Sequence, residues 1–142
     1  LSEVADIPGR DWEFQVSLSG KPFILNSLPR HLGFNLSHTR GLVACAAAWE
    51  CDVGVDVERI DRKVDRATML AVLTPDELRS VDEGTVSFFE YWTRKEAYLK
   101  ALGTGISGRL KELAIADIAD GWTIHHEQPS PDYHLALAFR AR

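Results

Sequence analysis

At 142 residues the chain is one domain's worth of polymer, long enough to bury a core without disulfide or metal staples, and 45% apolar with 26% charged residues excludes default disorder. A net charge of −5, divided −2 and −3 between the halves, argues against a general nucleic-acid binder, which would present a basic surface. No apolar run approaches the roughly 18 residues of a membrane span and no signal peptide is visible. Cys45 and Cys51 read as buried thiols of a reducing compartment, so the expected location is the cytoplasm.

Trp12, Phe14, Val16 and Leu18 alternate with polar residues, which predicts a half-buried strand. Ser19-Gly20-Lys21-Pro22 predicts a turn, and Phe23-Ile24-Leu25 a strand pairing back as a hairpin. Further strands are predicted at Leu32 to Leu36, at Leu42 to Trp49 after the turn Thr39-Arg40-Gly41, and at Val53 to Glu58. Two short helices follow over Arg66 to Leu73 and Pro75 to Val81, the second with Thr74 as N-cap, Pro75 at the first helical position and Glu77 as capping-box acid. A long helix is predicted over Ser87 to Leu102, stopped by Gly103. Strands are then predicted at Leu113 to Ile118, Trp122 to His126 and Tyr133 to Phe139. Strands, helices and strands with hairpin-length connections make the expected class α+β, an antiparallel sheet packed against a long helix.

Val53-Gly-Val-Asp-Val-Glu58 sets its valines on one face and Gly54, Asp56 and Glu58 on the other. Two carboxylates so placed stand about 7 Å apart at the backbone and suit a hard cation such as Mg²⁺ between them; a polar strand face in water explains the same pattern. The long helix carries a second anomaly. Glu96 lies on the apolar stripe of Phe89, Trp92 and Leu99, where an unpaired carboxylate is costly. An i,i+4 pair with Lys100 accounts for it, and so does a metal shared with Asp56 and Glu58. Carboxylates, a divalent metal and the lysines Lys95 and Lys100 together form a phosphate-handling arrangement.

FNLSH (34–38), GVDVE (54–58) and WTRKEAYLKALGTG (92–105) resemble, in order, the three signature segments of the Sfp-type 4′-phosphopantetheinyl transferases, and GKP (20–22) resembles an additional upstream segment. The resemblance implies transfer of the phosphopantetheine arm of coenzyme A to a serine of an acyl, peptidyl or polyketide carrier protein, with release of adenosine 3′,5′-bisphosphate. It implies that Asp56, Glu58 and Glu96 hold Mg²⁺, that Lys100 and secondarily Lys95 contact the phosphates, and that Glu96, or a water it orients, is the general base for the carrier serine hydroxyl. It further implies that His38 meets the 3′-phosphate, that Asn35 and Ser37 shape the nucleotide pocket, and that Gly20 and Lys21 lie along the adenylate.

Such enzymes are two similar halves forming a pseudo-dimer, and only 33 residues precede FNLSH here. The expected organisation is a single domain in which residues 1–50 are a remnant of the N-terminal half with the nucleotide-binding segments, and 51–142 are the metal-binding half. Leu1 in place of an initiator Met fits a processed or cut chain. Completion of the site by a homodimer or a missing half, and reduction to a coenzyme A or carrier-protein binding module, are the alternatives this raises. RIDRKVDR (59–66) with Met69, Leu70, Val72 and Leu73 is a candidate docking surface for an acidic carrier protein. A Ser37–His38 hydrolase is disfavoured because adjacent residues of an extended segment point apart, and His31, His38, His125, His126 and His134 match no compact zinc spacing.

Overall fold

A computed structural model of the chain describes residues 1–18, 20–105 and 110–142; Ser19 of the first predicted turn lies outside them. β1 (Phe14–Val16) and β2 (Pro22–Ile24) form a short antiparallel hairpin with Phe14 opposite Ile24. The first strand is shorter than its alternation suggests, and all three of its residues are exposed rather than half-buried. Trp12 stands before it, its ring stacked on Phe14 at 6.2 Å.

β3 (Leu32–Thr39) and β4 (Leu42–Trp49) pair antiparallel in one register from Leu32 opposite Trp49 to Thr39 opposite Leu42. Cys45 is exposed on β4 and Cys51 half-buried, both as free thiols, so the expectation of two buried cysteines fails at Cys45. Alternation sends Cys45 outward while Ala44 packs inward. β5 (Cys51–Arg59) follows after the single residue Glu50, whose φ of 54° makes the tight link.

Three helices come next. α1 (Arg66–Val72) is capped by Asp65, which accepts from Thr68 N–H; α2 (Pro75–Asp82) has the expected capping box between Thr74 and Glu77. α3 (Phe88–Leu102) begins at Ser87 and ends at Gly103, which takes the left-handed φ of 72° that glycine adopts without a Cβ penalty. β6 (Thr123–Ser130) and β7 (Tyr133–Ala141) complete an antiparallel sheet of order β5-β7-β6, with Asp56 opposite Ala136 and Glu58 opposite His134. The strand expected over Leu113 to Ile118 is instead two 3-10 turns, Leu110–Glu112 and Ile115–Asp117. Its amides are used elsewhere than in a ladder: Leu113 N–H donates to Leu110 C=O and Asp117 N–H to Ala114 C=O within the turns, and Ile115 N–H donates to Glu77 Oε1 on α2.

Small residues decide how α3 meets the sheet. Ala97 and Ala101 of the helix and Ala136 and Ala138 of β7 are buried together. Gly54 lies so close under α3 that a methyl group there would overlap the Ala97 carbonyl and the Ala101 amide, which are backbone and cannot turn aside. Gly54→Ala is therefore expected to cost about 3 kcal/mol by overpacking, read as a lower urea midpoint at unchanged m-value. On the other face of β5, Val55 and Val57 pack with Ala44, Leu42 and Ala46 of β4. Val72, Leu73, Phe88, Phe89, Leu99 and Leu110 form a further cluster joining α1, α3 and the first 3-10 turn. No helix among the described residues is long and apolar enough to cross a membrane.

β3 meets β5 through side chains rather than a backbone ladder. Val55 N–H donates to Asn35 Oδ1 at 2.9 Å and Val57 N–H to Ser37 Oγ at 3.2 Å. Gly33 passes over the Cys51 carbonyl with no room for a Cβ.

Candidate active site

α3 runs opposite in direction to β5, so successive turns of the helix lie over successive residues of the strand's helix-facing side. At one end, Trp92 Nε1–H donates to Glu58 Oε1 at 3.1 Å. At the other, Ala97 and Ala101 touch Gly54. Between them, Asp56, Glu96 and Lys100 meet. The ammonium of Lys100 donates to Asp56 Oδ1 at 2.6 Å, to Ser37 Oγ at 3.0 Å and to the Val55 carbonyl at 3.2 Å, using all three of its hydrogens. Ser37 Oγ in turn donates to Asp56 Oδ1 at 3.0 Å.

Glu96 does not take the ion pair with Lys100 that helical spacing offers. Its Oε1 is buried without a hydrogen-bond partner, as is Asp56 Oδ2. Glu96 is only 4% exposed, and burial followed by the charge of Asp56 pushes its pKa up to about 7, against a partial lowering by Lys100. Burial and then Asp56 also raise Glu58, opposed by Arg62. Three carboxylates, two of them with an orphaned buried oxygen and two, Glu58 and Glu96, with pKa values raised by burial and the charge of Asp56, form a donor set suited to a hard divalent cation. The set is not gathered as it stands: among the described residues no three His, Cys, Asp or Glu side chains are close enough to hold a metal ion.

Glu96 and Lys100 open into a cleft of about 380 Å³ whose walls also include Gly20, Lys21, Asn35, Leu99 and Gly105. This brings the GKP segment, β3 and the end of α3 to one place. A larger cleft of about 690 Å³ lies beyond Lys21, beside Arg30, His31, Asp52, Arg140 and Arg142, and contains none of the three carboxylates. The acid with the unsatisfied buried oxygen, Glu96, opens into the smaller one.

Several sequence-predicted residues have other employment. Lys21 donates to the Lys100 and Ala101 carbonyls at 2.7 and 3.1 Å, capping the C-terminus of α3; burial lowers its pKa, partly offset by Asp52. His38 is exposed near the end of β3, on the strand face opposite Ser37, and is not among the described residues that line the cleft. Lys95 is a correction. One residue before Glu96 puts it about 100° around the helix, and it is fully buried away from the carboxylates. Its ammonium pairs with Glu77 Oε2 at 2.6 Å and donates to the Val72 and Leu110 carbonyls at 2.7 and 2.9 Å. Burial lowers its pKa, with Glu77 acting in the opposite sense.

Two further groups border the site without having been expected. His134 stacks on Phe89, and its Nδ1 is 2.8 Å from His126 Nε2; burial lowers the pKa of both. Arg62 stands 3.5 Å from Glu58 Oε2 and over the Phe89 ring. Arg62 belongs to the basic segment RIDRKVDR, but with Glu58 on a strand and Arg62 in the loop after it their four-residue spacing is not a helical pair and gave no signal.

Residues 52–138 match the family model of the 4′-phosphopantetheinyl transferase superfamily. Among curated proteins, the chain is 37% identical over 111 residues to the 4′-phosphopantetheinyl transferase HetI of Nostoc sp., covering 73% of this chain and 46% of that protein. It is 33% identical over 111 residues to the 4′-phosphopantetheinyl transferase gsp of Aneurinibacillus migulanus, covering 75% and 44%. It is 30% identical over 125 residues to the 4′-phosphopantetheinyl transferase Sfp of Bacillus subtilis, covering 85% and 54%. The chain spans about half the length of these relatives. With the family model spanning the strand of Asp56 and Glu58 and the helix of Glu96 and Lys100, the chain belongs to the 4′-phosphopantetheinyl transferase superfamily.

Proposed function

We propose that the protein transfers the 4′-phosphopantetheine arm of coenzyme A to a serine hydroxyl of an apo carrier protein, releasing adenosine 3′,5′-bisphosphate. The observation that carries this reading is the buried, unpartnered Glu96 carboxylate, poised near neutral pH at the mouth of a cleft beside Asp56 and Lys100. A structural glutamate would be paired. A base must be ready to take a proton at the operating pH.

Glu96 accepts the hydroxyl proton as the serine oxygen forms its bond to phosphorus and the bond to the bisphosphate leaving group breaks. Lys100 already carries its charge to the floor of the cleft, and a diphosphate oxygen entering there replaces one of its three protein acceptors. Asp56, Glu58 and Glu96 would hold Mg²⁺, which when bound would stabilise charge on the diphosphate. Asn35 and the Gly20–Lys21 backbone supply walls for the nucleotide end, and His38, outside the cleft, is assigned to the 3′-phosphate only through the family resemblance. A cytoplasmic location and a carrier-docking role for α1 and the segment before it belong to the same proposal.

The test is intact-mass measurement of an apo carrier protein incubated with this chain, coenzyme A and Mg²⁺. A phosphopantetheine-sized gain that vanishes with EDTA is the expected result. No gain with several carriers at high enzyme concentration, together with retained coenzyme A binding, would instead establish a binding module.

A further inference from the structure

Ser37 stands where three parts of the site converge, and its hydroxyl has one donor and two acceptor positions to distribute. Val57 N–H, at 3.2 Å, can only donate; the Lys100 ammonium, at 3.0 Å, can only donate. Both acceptor positions are thereby taken, and the hydroxyl hydrogen has one acceptor in reach, Asp56 Oδ1 at 3.0 Å. The orientation of this hydroxyl is fixed by its neighbours. The residue is 6% exposed, so water does not compete for these contacts.

The consequence falls on Asp56. Its Oδ1 receives two donors, Ser37 Oγ and Lys100 Nζ, while Oδ2 is buried with none. The two oxygens of one carboxylate are therefore chemically distinct: one committed to the protein, one left open. We propose that Ser37 is a positioning residue of the active site, acting through Asp56 and Lys100: it fixes which carboxylate oxygen of Asp56 is presented to the bound cation and holds the lysine alongside. This differs from a place in the nucleotide pocket, since Ser37 does not line the cleft into which Glu96 and Lys100 open. The inference rests on the reading of Asp56 as a ligand of a divalent cation.

The probe is Mn²⁺, titrated without coenzyme A into the 142-residue chain and its variants and followed by electron paramagnetic resonance, with urea unfolding of each variant alongside. Ser37→Ala is expected to weaken Mn²⁺ binding about tenfold, the range seen when a ligand's orienting partner is removed, and Ser37→Thr to restore it to within about threefold. Ser37→Cys keeps the shape with a poor donor, and about tenfold weakening is expected again; it carries the test if the alanine variant does not fold. Asp56→Asn is expected to abolish binding. Mn²⁺ binding at the parental affinity in folded Ser37→Ala or Ser37→Cys, with only the urea midpoint lowered, would show a purely structural serine and overturn the inference. If Asp56→Asn binds Mn²⁺ like the parent, or the parent binds none, the metal reading fails and the inference fails with it.

Discussion

Glu96→Gln is expected to lower kcat/KM for phosphopantetheine transfer by about a thousandfold or more, because it removes a base and a charged ligand while keeping the shape of the side chain. The same substitution is expected to leave the metal-free protein at least as stable as the parent. Burial and Asp56 raise the Glu96 pKa from 4.5 to about 7, so the folded protein binds this proton more tightly than the unfolded chain does. Below pH 4.5 the carboxyl is protonated in both states and its contribution is fully present; as pH rises through 7 that contribution is lost. Its size is on the order of 2 kcal/mol. In EDTA the parent should thus lose more stability than Glu96→Gln between about pH 5 and about pH 8, read from urea midpoints. Added Mg²⁺ should return stability to the parent at the higher pH and not to the variant. Parallel pH curves for the two proteins would show that Glu96 is not the strained acid described here.

Lys95→Met is expected to have the largest effect on folding. It would strand the Glu77 carboxylate and two carbonyl oxygens in the interior, a cost of about 3–5 kcal/mol where a domain typically has 5–15 in hand. Lys95→Arg should not rescue, since the site is fully buried and shaped for one compact ammonium. Lys95→Met combined with Glu77→Gln should recover part of the loss, because the neutral amide leaves no unpaired charge, while its one acceptor oxygen serves either Thr74 N–H or Ile115 N–H and not both. Additive single and double variants in urea unfolding would show that the pair is not coupled.

The contrast between Lys95 and Glu96 shows where the sequence was legible. Period-2 alternation put Asp56 and Glu58 on one face, and an apolar stripe interrupted by acid exposed Glu96; both signals are local, and the strand face of the first packs under the helix of the second. Which partner a charged side chain takes is a matter of three-dimensional approach. Lys100 passes over Glu96 and bonds Asp56, 44 positions away, and Lys95 turns inward to Glu77. Lys21 likewise occupies the carbonyls that end α3, a use that the tripeptide GKP does not reveal. The strand expected over Leu113 to Ile118 fails for a related reason: its Ile115 amide is claimed by Glu77, a residue already legible as a helix cap but not as a bidentate anchor. The long helix, its two ends and the sheet strands with clean alternation were all within reach, because caps and periodicity act over a few residues.

The contact between β3 and β5 has a bearing on how this protein behaves at high concentration. Val55 and Val57 turn their amides away from β7, toward what would otherwise be a bare margin of the three-stranded sheet. Asn35 and Ser37 close those amides with short side chains, so a strand from another molecule cannot pair with these two donors. At the opposite margin, β6 breaks register between Glu127 and Ser130, where Pro129 lacks an amide hydrogen altogether. The same serine that orders the acid and the lysine is thus also a guard against cross-molecule strand addition and the aggregates it seeds.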